Sequence, residues 1–369
     1  MGLTKTRRRR SPPLDDHTSC GLDVAVWLMF ACAGPILLFS SSLRTLARQT
    51  VSAIWIDVSD QMESSTAAPA DLQGAGQGDP VLARAARFAA MPAFDAAIRA
   101  FIAGMIGLRR SNRVINKLIS YQARWRVAAY LLYLHADRER YGPEGGATYG
   151  NLLEMCRRPP DISPRTLQTT LALLRFTGMV HAIPSASDRR SKIYQPTPRM
   201  LGFTRPWLCY ATSTLDILEP GIGRAHLLEN DPGFVDRFLV SSGRAHETAT
   251  PLVERMPEYM AFFAARDGAG AVLLPIMRAD MDGTLVPSRS ELAKTFGLSK
   301  TQVGKVLRLG EAAGYFALDA AGVPAATKLL RTIFRQWVST ELAFYAEHMQ
   351  PAAAPPQPIG LRRPAARWE

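Results

Sequence analysis

A chain of 369 residues exceeds what one hydrophobic core usually serves, which predicts two or three domains. Hydrophobic residues at 47% and charged residues at 21% exclude a wholly disordered chain. Lys and Arg outnumber Asp and Glu by 44 to 32, and the net charge of +12 suits a protein that meets polyanions. The four cysteines, Cys20, Cys32, Cys156 and Cys209, are too scattered for a disulfide framework or a zinc site and read as small buried thiols.

Residues 1–80 read as an apolar leader followed by a flexible linker. A basic cluster (Lys5, Arg7, Arg8, Arg9 and Arg10) precedes an uncharged apolar run over residues 24–43, which is interrupted by Gly34-Pro35. The run has about the length of a membrane anchor or export signal. The positive-inside rule would then export everything downstream, away from DNA. An over-extended start, with Met62 as the natural first residue, fits the same facts and leaves the protein in the cytoplasm. Residues 67–80, rich in Ala, Gly, Gln, Asp and Pro, form the linker. Residues 81–112 are a helical lead-in, with Phe88, Phe94, Ile98, Ile102 and Ile106 at helical spacing, suited to pairing with a second copy or to capping the core of the next module.

Residues 113–199 carry the strongest pattern. An amphipathic helix through Trp125, Val127, Leu131 and Leu134 stops near Tyr141-Gly142-Pro143. Thr148 then caps a short helix with Leu152, Leu153 and Met155, which Pro159-Pro160 ends. Ser163-Pro164 opens a third helix in the preferred order of N-cap and first-turn proline. Leu167, Leu171 and Leu174 share its inner face, leaving Arg165, Thr166, Gln168 and Thr169 outside, and Gly178 stops it. Residues 179–183 and 192–197 read as two strands around a polar loop, a wing over residues 184–191 that carries Arg189 and Arg190 next to Lys192. Between Arg157 and Arg199 there are eight Lys or Arg against two Asp, so half of the chain's net charge is concentrated here.

The runs Ser163-Pro164-Arg165-Thr166-Leu167, Phe176-Thr177-Gly178-Met179-Val180, Asp188-Arg189-Arg190-Ser191-Lys192 and Tyr194-Gln195-Pro196-Thr197 resemble MarR-type winged helix-turn-helix regulators in order and spacing. The resemblance covers less than a quarter of the chain. It implies that the helix over residues 163–177 reads the major groove and that Arg189 or Arg190 reaches the minor groove. Members of that family are short, single-module proteins that dimerise through flanking helices, so a homodimer is also implied. This chain departs from them in its length and in carrying a second module.

Residues 200–270 are expected to form a helical bridge, and residues 271–349 a second module without a wing. An offset of 136 residues lays Ser163 on Ser299, Leu171 on Leu307 and Gly178 on Gly314. Residues 290–296, the Gly297-Leu298 turn and residues 299–313 repeat the helix-turn-helix pattern, with Lys300, Gln302, Lys305 and Arg308 outside. Residues 315–318 begin a strand, but residues 319–323 are too short for a basic wing, and a long helix resumes at Ala325. The tail over residues 350–369, rich in Pro and Ala, reads as disordered.

His226 and His246 end two Arg-Ala-His triplets without carboxylate or cysteine neighbours at ligand spacing, and Phe234, Phe238, Tyr259, Phe262 and Phe263 read as core rather than as an effector pocket. No Gly-x-Ser-x-Gly, phosphate loop or His-Glu-x-x-His is present, so nothing calls for an enzyme, a cofactor or a metal. The expectation is a mainly α protein with a small β wing, its two winged helix-turn-helix modules joined by the bridge. It would act as a transcription regulator on double-stranded DNA, with any small-molecule effector unidentified. A replication-initiator-like protein and a membrane-tethered adaptor using winged folds for protein contacts are the rivals.

Overall fold

The structure, a computed structural model, describes residues 78–111, 113–158, 162–185 and 190–352. The apolar leader, the Pro159-Pro160 break, the loop residues 186–189 with Arg189, and most of the tail lie outside the described residues. The fold is mainly helical with two small antiparallel hairpins.

Helix α1 (Pro80–Ala90) is capped by Asp79, whose Oδ1 accepts from the Val81 amide at 2.9 Å while Oδ2 accepts from Arg255 Nε at 2.7 Å. Helix α2 (Phe94–Ser111) is central: Phe94, Ala97, Ile98 and Phe101 are wholly buried. After α3 (Arg113–Ile119), helix α4 (Gln122–Ala136) carries Val127, Leu131, Leu132 and Leu134 into the core, and the single turn α5 (Arg138–Tyr141) ends it. Then come α6 (Tyr149–Cys156), α7 (Pro164–Phe176), the hairpin β1 (Val180–Pro184) and β2 (Lys192–Pro196), and the long helix α8 (Pro198–Leu218).

The stretch expected to be a bridge continues with α9 (Arg224–Asn230), α10 (Phe234–Thr248), a 3-10 turn (Leu252–Arg255) and a short helical segment that widens to π-helical geometry over Met260–Ala264. Helix α11 (Ala269–Asp282) leads to α12 (Arg289–Phe296), α13 (Lys300–Ala312), the hairpin β3 (Phe316–Leu318) and β4 (Pro324–Ala326), and α14 (Lys328–His348). Helix α8 packs on α2, α10 on α4, α11 on α2 and α14 on α1, and the buried side chains from Val81 to Met349 form one continuous cluster.

Two runs of this order repeat one another. The helices α6 and α12 each have 8 residues, α7 and α13 each 13, and α8 and α14 each 21. The strand expected from Tyr315 to Leu318 is present as β3, but a short return strand precedes the long helix: Phe316 pairs with Ala326 and Leu318 with Pro324. Of the two strands, the returning one, Pro-Ala-Ala, carries too little β-branched or alternating pattern to be read from sequence. The loop between them, Asp319 to Val323, has no Lys or Arg, and Asp319 Oδ1 folds it by accepting from Ala321 and Val323 amides. The last helix begins at Lys328 rather than Ala325, because Ala325 and Ala326 are spent on β4.

Asp267, just before α11, ties the two halves. Its carboxylate accepts from Ser120 Oγ at 2.5 Å and pairs with Arg124 at 2.9 Å and Lys117 at 3.2 Å, while its backbone carbonyl accepts from Gln302 Nε2 at 2.9 Å. Burial alone would raise this carboxyl's pKa, but the Arg124 and Lys117 charges and the Ser120 hydroxyl outweigh it and hold the pKa below the ordinary value.

Two measurements check this packing. Gly104 of α2 faces the Tyr210 side chain of α8, and a methyl group there would overlap the Tyr210 Cβ, so Gly104→Ala should lower stability by about 1–3 kcal/mol in denaturant unfolding. Asp267→Asn should cost about 1–3 kcal/mol at neutral pH. A depressed carboxyl stabilises above its unfolded pKa, so the gap between the parent and this variant should close as the pH falls through the folded pKa of Asp267.

Candidate nucleic-acid interface

Helix α7 is set by both of its ends. Ser163 Oγ accepts from the Thr166 amide at 3.2 Å and Pro164 occupies the first turn. At the other end Gly178 takes a left-handed φ of 68°, the Gly178 amide donates to the Arg175 carbonyl at 3.0 Å, and the Met179 amide to the Leu174 carbonyl at 2.9 Å. This is the paired closure that a glycine just past a helix allows. Leu167, Leu171 and Leu174 are buried on the inner side, so the burial fixes which residues face outward.

The hairpin comes directly after this closure. Val180 pairs with Pro196 and Pro184 with Lys192. It is fastened at two further places: Thr148, the cap of α6, bridges Ile193, and Thr197 Oγ1 lies 2.8 Å from the Gly178 carbonyl and 3.0 Å from that of Met179. The α6–α7 turn is held from behind, where Arg158 donates to the Glu247 carbonyl of α10 and Arg126 to the Arg158 carbonyl at 3.4 Å. Arg126 Nε also donates to Tyr130 Oη at 2.8 Å, and Tyr130 Oη bonds His246 Nε2 at 2.9 Å. Burial drives the His246 pKa down to about 4, with the Arg126 and Arg158 charges adding to it, so this imidazole is neutral at physiological pH. His226 bonds Asn230 instead, and no metal-binding cluster occurs among the described residues. Cys156 is a buried core thiol whose pKa burial raises to about 11.

The expected reading residues of the first unit are mostly exposed. Ser163, Arg165, Gln168 and Thr169 of α7 are exposed, as are Arg190 at the end of the loop and Lys192 at the start of β2. Residues 162–185 and 190–199 contain no Asp or Glu. Their chemistry is unequal, however. Ser163 serves as the cap, Thr166 is half-buried with its hydroxyl 3.0 Å from Ser163 Oγ, and Thr169 Oγ1 turns back to the Thr166 carbonyl at 3.1 Å. Arg165 and Gln168 present the larger polar groups, with Gln168 Nε2 steadied by Tyr149 Oη at 3.2 Å.

In the second run the same closures recur. Ser299 Oγ accepts from the Gln302 amide at 3.0 Å, Gly314 has φ 76°, and Thr327 Oγ1 lies 2.7 Å from the Gly314 carbonyl. Lys300, Lys305 and Arg308 are exposed on α13. Gln302 is not on that outer face. It is half-buried and its amide is committed to the Asp267 carbonyl, a partner 35 residues away that no local pattern could reveal.

Sequence reasoning missed Arg109 of α2 and Glu341 of α14, although each left a signal. Arg109 closes the apolar series Phe101, Met105 and Leu108, and Glu341 interrupts Trp337, Val338, Leu342 and Tyr345. Tyr259 and Phe263 are packed aromatics as expected, but they also line a cavity with these two charged residues.

Among the described residues no single helix is long and apolar enough to cross a membrane. No family model, curated protein or solved structure matches the chain.

The cap assignment is checked by Ser163→Ala, which should lower stability by about 1 kcal/mol, read as a shift in the unfolding midpoint, whereas Gln168→Ala on the exposed face should leave it nearly unchanged.

Proposed function

We propose that the chain binds double-stranded DNA through the unit α6–α7–β1–β2, acting as a winged helix-turn-helix that regulates transcription. One observation carries this reading: the outward side of α7 and the adjoining hairpin present exposed Arg165, Gln168, Arg190 and Lys192, in a stretch (residues 162–199) with six Lys or Arg against one acid, Asp188. Such an arrangement matches the separation of labour in groove recognition. A helix of 13 residues fits the major groove, where an arginine or glutamine fork pairs with base edges. Cations on a hairpin beside it meet the backbone or the narrower groove. Arg189, outside the described residues, belongs to the same proposal by resemblance alone.

The second unit, α12–α13–β3–β4, offers Lys300, Lys305 and Arg308 for phosphate but lacks a basic loop, and Gln302 is engaged inside. It therefore adds non-specific affinity. Two units on one chain also favour a second reading, an initiator-like protein that occupies iterated sites. Footprints on repeated elements beside an origin, in place of single promoter sites, would select it.

A salt titration on a selected duplex and on random duplex tests the proposal. Arg190→Ala with Lys192→Ala should weaken binding to both and flatten the slope of log affinity against log salt by roughly 0.9 for each lost phosphate contact. Arg165→Ala or Gln168→Ala should instead narrow the difference between the two duplexes, with about 1–3 kcal/mol lost on the selected one. Lys300→Ala with Lys305→Ala should weaken binding less than the hairpin pair does. Equal affinity of parent and hairpin variant, with the same salt slope, removes the unit from DNA recognition.

A further inference from the structure

Where α2, α8 and α14 meet the π-helical turn, the core does not close. A cavity of about 100 Å³ remains, walled by Trp207, Tyr210, Tyr259 and Trp337 and carrying two ionisable groups, Arg109 and Glu341. Arg109 is 6% exposed. Its Nη1 donates to Asn116 Oδ1 at 3.2 Å and its Nη2 lies 3.5 Å from the Ile119 carbonyl, while its Nε has no partner among the described residues. A buried guanidinium with an unused N–H calls for an acceptor, because leaving such a donor unsatisfied is costly. Arginine stays charged even when burial pushes its pKa down, as it does here.

No carboxylate forms an ion pair with Arg109 among the described residues. Glu341, half-buried, accepts from Tyr210 Oη at 3.3 Å, and Tyr210 Oη lies 3.1 Å from Tyr345 Oη. The groups facing it are Tyr210 from α8, Trp337 and Tyr345 from its own helix, Arg109 from α2 and Tyr259 from just before the π-helical segment. Burial raises its pKa to about 7 against the lowering pull of Trp337, the two tyrosines and Arg109, so near neutrality it exists in both forms.

We propose that this cavity binds a short-chain monocarboxylate, whose carboxylate is taken by Arg109 and whose alkyl tail lies between the aromatic walls. Size sets the chain length: an engineered apolar cavity of about 150 Å³ holds benzene, so the smaller space here suits an acid of about two to four carbons. Charge sets the class. With Glu341 protonated, a neutral guest would leave the guanidinium unmatched, and a cation would meet it as a like charge. The protonated Glu341 can share its hydrogen with the guest, and the ionised form repels it, so binding takes up a proton whenever Glu341 starts ionised. Arg109 also holds Asn116, whose amide donates to the Phe296 carbonyl at the end of α12, which places the guest one hydrogen-bonded step from the second unit.

The site is independent of the DNA proposal and is tested without DNA. Calorimetry on the full chain compares sodium propionate with propionamide, its neutral counterpart of nearly the same shape. Propionate should bind and propionamide should bind at least about tenfold more weakly. Affinity for propionate should fall by about fivefold from pH 7 to pH 8, and Glu341→Gln should flatten that profile. Arg109→Gln also disturbs Asn116 in the core, so a second variant guards against misfolding. A Cβ at Gly270 meets only Tyr259 Oη at 3.5 Å, Arg109 Nη2 at 3.6 Å and the Phe263 carbonyl at 4.0 Å, so Gly270→Ala fits, favours the helix and occupies part of the space. It should keep or raise the melting temperature while weakening propionate at least about fivefold. Absence of propionate binding, equal binding of propionamide, or unchanged affinity in the folded Gly270→Ala variant overturns the proposal.

Discussion

The geometry of each repeated unit depends on how its hairpin is shut against the helix before it. Gly178 turns the chain left-handed at the end of α7, and Thr197, eighteen residues after Met179, returns its hydroxyl and amide to the carbonyls exposed by that turn. Gly314 and Thr327 do the same for α13. This closure satisfies carbonyls that a helix end would otherwise leave to water. It also fixes the angle between helix and hairpin, because both strands and the start of the following long helix are tied to one point. The hairpin loops differ in length and charge, while the closure is common to both units.

The charge difference between the units reflects the other duties of each. In the first, the α6–α7 turn is held by Arg158 and Arg126 from inside, and Gln168 on the outer side of α7 bonds Tyr149 of the same unit. In the second, Gln302 of α13 is bound to Asp267 and Asn116 donates to the end of α12, so the helix pair is anchored on both sides of its turn. A side chain recruited for anchoring is lost to recognition. The two units share a backbone plan and diverge in which side chains remain exposed.

Signals of short range were legible in the sequence. Ser163-Pro164 and Ser299 read as caps, Gly178 and Gly314 as stops, and the 136-residue offset as a repeat, since each rests on a rule about neighbouring residues. Features decided by distant partners were not. Gln302 looked like an outer residue until Asp267 supplied a carbonyl from elsewhere. Pro206 and Pro275 lie inside α8 and α11, where local rules would end a helix, because flanking residues such as Trp207 and Leu274 are buried strongly enough to carry the helix past the lost hydrogen bond. The second hairpin was legible only in its first strand, because the returning strand Pro324-Ala325-Ala326 leaves almost no pattern.

The pairing of α1 with α14 bears on how the chain comes to be folded. The Arg84 to Glu347 contact and the shared packing of these helices join the two ends of the described fold, and the core they close is one cluster. During synthesis the first unit emerges complete while the partner of α1 is still untranslated. Helix α1 must therefore wait with Val81, Ala85 and Phe88 uncovered until the last helix leaves the ribosome. Contacts so remote in sequence form late and slowly. Until then those apolar side chains form a surface that chaperones could shield, and the C-terminal helix decides when the N-terminal one is finished.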